Sequence, residues 1–313
     1  MKLRFQKDAI VNGINIVMKA VPSKTTMSIL ECILIDASTN EIKLTGNDME
    51  LGIETRVEGD ILEHGKIALD AKLFSEITRR LSSENASVTI ESDDKFNTTI
   101  SCENSVFNIQ GRDGEEFAYL PYIERDNYIC LSQFTLKEVI RQTIFSIADN
   151  DNNKLMTGEL FEINENELKV VSLDGHRISI RNIELKNNYE NKKVVVPGKT
   201  LQEISKIVPG GVDDDVLIYL TDNHIVFEFD TTTVVSRLIE GEYFRIDQML
   251  SSAYETKVIV NKKELLDCID RATLLVKEGD KKPIIMNITD GSMELKINSF
   301  IGSMNEDIDI EKE

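Results

Sequence analysis

The sequence predicts an α+β protein made of tandem copies of one unit, with amphipathic helices laid on one side of antiparallel sheets. A recurring strand motif, a recurring strand-to-helix segment and a constant spacing between copies carry that prediction. Glu41–Thr45 returns as Glu167–Val171 and again as Glu294–Asn298, at offsets of 126 and 127 residues. Each copy follows a strand-like run, residues 29–35, 156–163 and 283–288, and the Asn-, Asp- or Gly-bearing turns between them predict hairpins.

The elements then follow in order. A first helix is expected over Lys7–Lys19. The segment Lys66–Ile77 matches Lys193–Ile204 at an offset of 127, a strand running into a helix in both. Asp70 suits the N-cap of the first of these helices and Pro197 the first turn of the second. Phe74, Ile77 and Leu81 correspond to Leu201, Ile204 and Val208, so each helix carries one apolar stripe that packs on a sheet. Thr135–Ala148 opens the second unit, with Thr135 and Glu138 as a capping box and Leu136, Val139, Ile140, Thr143, Ile144 and Ile147 as its buried stripe. Asn261–Val276 opens the third in the same way, with Asn261 and Glu264. A third copy of the strand-to-helix segment would begin at about residue 320, past Glu313. The period therefore predicts units at 1–125 and 126–252, with 253–313 the first half of a third.

Charge disfavours a generic nucleic-acid binder, because 36 basic against 55 acidic residues leave a net charge of -19. Position matters more than the sum. Lys72 and Arg79 share a helix face and correspond to Lys199 and Lys206; Lys137 and Arg141 sit one turn apart, off the apolar stripe of their helix. Lys262, Lys263, Arg271 and Lys277 add positive charge in and after the third unit's helix. Solvation of exposed helix faces explains any one of these helices, and recurrence of the basic pair fits either a shared role or duplication alone. Without Trp and with 6% aromatics, such faces suit backbone contact to a duplex better than base stacking.

Other classes find little support. Cys32, Cys102, Cys130 and Cys268 lack zinc-ligand spacing, so neither a metal nor a cofactor is expected. No run of eighteen apolar residues exists and the N-terminus lacks a secretory pattern, which predicts a cytoplasmic protein with no membrane partner. Asp174-Gly175-His176 offers an acid/base pair, but no motif supplies a nucleophile or metal, and the segment reads more simply as a turn. Gly210-Gly211 is a helix stop and not a phosphate loop.

Leu44–Glu50 (LTGNDME), Leu173–Ile178 (LDGHRI) and Ile269–Leu275 (IDRATLL) resemble signatures of the three domains of the bacterial beta sliding clamps. The resemblance covers essentially the whole chain and implies a non-catalytic processivity factor. Two crescent subunits, each of three similar domains, would close head to tail into a ring whose inner helices surround double-stranded DNA. It implies as partners the replicative polymerase catalytic subunit, the clamp loader, other proteins with clamp-binding peptides, and a second copy of the chain. Lys24, Lys72, Arg79, Lys137, Arg141, Lys199 and Lys206 would face DNA. Met156, Leu173, Gly175, His176, Arg177, Ile178 and Met249 would form a peptide-binding pocket, and Phe107, Leu274 and Leu275 the dimer interface. Phe244 stands where the family usually has proline, and the missing half of the third domain normally completes the pocket. The other reading is a clamp-fold interaction scaffold or fragment that does not encircle DNA.

Overall fold

The computed structural model describes residues 1–312 except 82–85, 150–152, 251–253 and 278–281. Two compact units result, Met1–Tyr243 and Phe244–Glu313. The first unit begins with β1 (Lys2–Gln6), α1 (Lys7–Val17), β2 (Cys32–Asp36), β3 (Ile42–Asn47), β4 (Leu51–Val57), β5 (Asp60–Glu63) and β6 (Lys66–Asp70). It continues through α2 (Ala71–Arg80), β7 (Ser87–Ser92), β8 (Asn97–Cys102), β9 (Ser105–Gln110) and β10 (Arg112–Asp113). After a connecting segment come β11 (Tyr128–Ser132), α3 (Gln133–Thr143), β12 (Gly158–Leu173), β13 (Ile178–Pro197), α4 (Gly198–Ile207), β14 (Asp215–Leu220), β15 (His224–Phe229) and β16 (Thr232–Arg237). The second unit holds α5 (Ile246–Met249), β17 (Val258–Val260), α6 (Lys262–Thr273), β18 (Ile285–Ile288), β19 (Ser292–Asn298) and β20 (Ser303–Lys312).

Strand register repeats along with the sequence. β2 pairs with β6 through Cys32↔Asp70, and β12 with β13 through Gly158↔Pro197, positions 126 and 127 residues on. Ile42↔Val57 returns as Leu168↔Ile183. The expected hairpin inside residues 156–173 falls within β12, which folds back at Glu165, where φ is 53 and the register with β13 breaks on either side, and brings Lys169 Nζ within 4.0 Å of Glu162. At that break the chain changes partner segment, from 192–197 to 178–184. The strand expected from Ile29 begins only at Cys32, and that expected from Met156 only at Gly158; helical turns, Ser28–Glu31 and Lys154–Thr157, precede both.

A five-stranded sheet, β5-β1-β7-β8-β9, accompanies a nine-stranded sheet, β10-β6-β2-β3-β4-β16-β15-β14-β11, which runs without interruption from the first repeat into the second. The junction is the antiparallel pair β4–β16, where Thr55 faces Thr232 and their hydroxyls lie 2.9 Å apart. Because strand side chains alternate, Thr232, Val234 and Ser236 share one face. Gly13 of α1 packs on Leu44, Thr55 and Val57 at that face, and Thr200 of α4 reaches Ser236 across 2.6 Å. Helices of both repeats therefore cover the same side of one sheet. On the opposite side, Tyr219, Val226 and Val235 pack with Leu120 and Ile123 of the connecting segment.

Helix starts show where local chemistry decides. Asp70 caps α2 by accepting from the Leu73 N–H at 2.8 Å, and Asn261 caps α6 through the N–H groups of Lys263 and Glu264. Thr135 does not cap α3: Ser132 does, accepting from the Thr135 N–H at 3.1 Å, so the helix starts at Gln133 and ends at Thr143. Pro197 ends β13 as the N-cap of α4, one position before the first turn.

Candidate peptide-docking hairpin and basic helix faces

The register of β12 and β13 brings Leu173 opposite Ile178 and leaves Asp174–Arg177 as the turn. Asp174 organises it, its carboxylate accepting from the N–H groups of His176 at 3.0 Å and Arg177 at 3.1 Å and from Arg177 Nε at 2.9 Å. The His176 N–H first, and then the Arg177 side chain, hold the Asp174 carboxyl below its usual range. Gly175 supplies the left-handed step, with φ 86 and open space around it. His176 and Arg177 are exposed beyond the half-buried Ile178, and the Arg177 guanidinium lies 5.7 Å from the centre of the Phe145 ring. Leu173 is only 2% exposed, so it forms the floor rather than an open wall. Met156 is half-buried and its carbonyl accepts from the Ala148 N–H at 2.8 Å. Met249 belongs to the second unit, where it is exposed at the end of α5.

The first repeat carries a counterpart of this turn. Asp48 accepts from the N–H groups of Glu50 and Leu51 as Asp174 does from His176 and Arg177, and Met49 takes the left-handed step with φ 74. Asn47 and Gly52 stand 126 residues before Leu173 and Ile178. There the space is filled from within, because a Cβ on Gly52 would lie 2.0 Å from Leu120 Cδ2, and Asn47 Nδ2 donates to the Ala118 carbonyl at 2.9 Å. The side chain that would meet a peptide in the second repeat is replaced by the connecting segment in the first. Exchanging Ile178 for Asp should therefore lower affinity for an apolar peptide by about tenfold or more, measured by fluorescence anisotropy; unchanged affinity would move the docking site elsewhere.

Of the seven basic residues expected to face DNA, Lys24 and Lys72 are exposed, and neither side chain forms a hydrogen bond or ion pair among the described residues. Arg79 Nη2 donates to Asn15 Oδ1 at 2.6 Å and ties α2 to α1. Arg141 makes two bonds to Glu138, at 2.8 and 2.7 Å, Lys199 pairs with Asp48, and Lys206 with Glu203 at 2.8 Å. These exposed pairs can exchange a carboxylate for a phosphate at small cost. Lys137 corrects the expectation of a solvent-facing pair with Arg141. It is half-buried, and its Nζ donates to the Val208 and Pro209 carbonyls just past the last turn of α4, at 3.0 and 3.5 Å.

One polar cleft was not anticipated. α1 and α4 flank a space of about 400 Å³ lined by Asn12, Asn15 and Lys19 on one side, Lys206 and Pro209 on the other, and Asp230–Thr232 below. The spacing of 12, 15 and 19 is the helical signal that identifies this face. Lys262 and Lys263 are exposed at the start of α6, Lys277 is exposed beyond its end, and Arg271 is bound to Glu306. Phe107 is 37% exposed on β9, an edge strand of the five-stranded sheet; Leu274 is 78% exposed after α6, while Leu275 is half-buried. Among the described residues no cluster of His, Cys, Asp or Glu could hold a metal, and no helix is long and apolar enough to cross a membrane.

Comparison with known proteins agrees with this geometry. The family model of the DNA polymerase III beta subunit N-terminal domain matches residues 1–121, and that of the central domain residues 130–244. A beta sliding clamp from Staphylococcus aureus is 34% identical over 318 residues, covering 99% of this chain and 84% of the relative. The crystal structure of a DNA polymerase III beta subunit from Eubacterium rectale, at 74% identity, superposes with a TM-score of 0.97 over the whole of this chain and 85% of that one. The sliding clamp from Bacillus subtilis gives 0.95 at 33% identity, with the same coverage. On these matches, the chain belongs to the family of DNA polymerase III beta subunits, the bacterial sliding clamps.

Proposed function

We propose that the chain acts as a processivity clamp without catalytic activity, encircling duplex DNA as a head-to-tail dimer and tethering the replicative polymerase. The carrying observation is the nine-stranded sheet shared by two repeats, with helices of both on one face and basic residues outward on those helices. A closed ring retains DNA by topology, so the protein needs little contact energy and tolerates a net charge of -19. Weak, screened contacts from Lys24, Lys72, Arg79, Arg141, Lys199 and Lys206 would centre the duplex and still let it slide. Lys137, held by α4, would contribute mainly by fixing the spacing of α3 and α4.

Polymerase, clamp loader and other clamp-binding proteins would dock apolar peptide anchors beside the Leu173–Ile178 hairpin, with Met156 as a further contact. Phe107, Leu274 and Leu275 would meet across the subunit contact, domain boundaries would fall near residues 125 and 252, and the cytoplasm is the compartment of this work. In a loading assay on nicked circular DNA with clamp loader and polymerase, the chain should support long products. The double variant Lys199→Glu, Lys206→Glu should shorten retention on that DNA several-fold while the thermal transition is unchanged. Equal retention removes both residues from the DNA-facing set; failure of the parent chain to extend products favours the scaffold reading.

A further inference from the structure

Glu159 is the one Asp or Glu that is fully buried among the described residues, and no cation pairs with it there. It lies in β12 opposite Val196, with Oε2 3.1 Å from Thr143 Oγ1, while Oε1 has no hydrogen-bond partner. Thr143 Oγ1 is also 2.8 Å from the Val139 carbonyl, which can only accept. A hydroxyl has one proton. With that proton on Val139, the hydrogen between Thr143 and Glu159 must belong to Glu159. The alternative, a fully buried carboxylate with a single protein donor, is the form that burial penalises most. Burial accordingly pushes the Glu159 carboxyl up to about 8, and only a Thr143 hydroxyl turned from Val139 to donate to it would pull it back. The titratable neighbour coupled to it is Tyr243, itself pushed up by burial first and by Glu159 second, so its phenol stays neutral over this range.

Thr143 begins the platform on which the docking hairpin sits. Its carbonyl accepts from Ser172 Oγ at 2.6 Å, Ser146 and Ser179 share a 2.6 Å bond, and Phe145 lies under Arg177. Ser172 precedes Leu173 and Ser179 follows Ile178, so both strands are tied to residues 143–146 immediately beside the turn.

We propose that Glu159, as a neutral acid donating to Thr143, is a positioning residue for the Leu173–Ile178 hairpin, and that its ionisation loosens the hairpin and weakens peptide docking. The docking half rests on the function proposed above; the positioning half rests on the hydrogen bonds alone. Loss of the proton to solvent leaves Thr143 to choose between Val139 and the new carboxylate, and the platform shifts with it.

The test uses the full chain with methyl-labelled leucine and isoleucine, titrated by NMR from pH 6.5 to about 9.5. The Leu173 and Ile178 methyl resonances should move together with a midpoint near pH 8 and stay fixed in E159Q, which keeps a donor but cannot ionise. Over the same range, a fluorescein-labelled pentapeptide with leucine and phenylalanine anchors should lose about tenfold in affinity for the parent and none for E159Q. E159M, neutral and apolar, replaces E159Q should the latter fail to fold. Methyl titration that persists in the variants, or is absent from the parent, overturns the proposal. Expected methyl behaviour with a peptide that binds at no pH upholds the positioning role and removes the docking assignment instead.

Discussion

Replacing Glu159 with glutamine should stabilise the Met1–Tyr243 unit at pH 8 and leave it nearly unchanged at pH 5. The ordinary Glu pKa is 4.5, and in the folded chain burial raises it to about 8. Between those values the folded protein keeps a proton that the unfolded chain has released, so stability falls as pH rises. It is greatest below the unfolded value, declines through the interval and loses nothing more from this group above the folded one. At 1.36 kcal/mol per unit, the loss between pH 5 and pH 8 amounts to roughly 3–4 kcal/mol, a large share of ordinary domain stability. Glutamine carries no such penalty, and Glu159 is fully buried, so solvent screening does not reduce it. Urea unfolding at pH 5, 6, 7 and 8 reads the effect directly. Parent and variant curves that stay parallel across this range would mean that Glu159 is ionised, or hydrated, in the native state.

The same residue marks where sequence reading stops. The family resemblance and the 126–127 spacing are legible because each strand motif keeps its apolar positions, and the structure repeats even the register, Cys32↔Asp70 as Gly158↔Pro197. Strand alternation sets Glu159 on the side of the buried Phe161 and Ile163, but it names no partner for a carboxyl there. The partner comes from α3, where Thr143 meets Glu159 across 3.1 Å, a contact no strand periodicity contains. Lys137 fails the same way: its place off the apolar stripe predicts exposure, but backbone carbonyls after α4 lie within reach and bind it. At the start of α3, Ser132 and Thr135 both have capping hydroxyls and bond to each other at 2.8 Å. Backbone geometry separates them, since Ser132 is extended with φ -69 and ψ 149. The Asp174–Arg177 turn is legible as a turn, while its counterpart at Asp48 is recognisably filled only once Leu120 is seen against Gly52.

That filled counterpart leads to the second large effect. Gly52→Ala should destabilise the Met1–Tyr243 unit by about 1 kcal/mol, because the added Cβ would lie 2.0 Å from Leu120 Cδ2 and the Leu120 side chain must swing aside at the junction of the repeats. Gly52 is in ordinary extended backbone on β4, so the cost comes from packing and not from strain. Leu120→Ala alone should cost about 1–2 kcal/mol, as the half-buried side chain leaves Val226 and Val235 partly uncovered. In the double variant the alanine at 52 has room, and the two costs should combine to less than their sum by about 1 kcal/mol. Urea unfolding of the four proteins closes this cycle. Strict additivity would mean that Leu120 does not occupy the groove in solution, and the first repeat would then offer an open docking turn like the second. Coupling of the expected sign means that the connecting segment closes the first turn and leaves the Asp174–Arg177 hairpin as the one available to a partner within this unit.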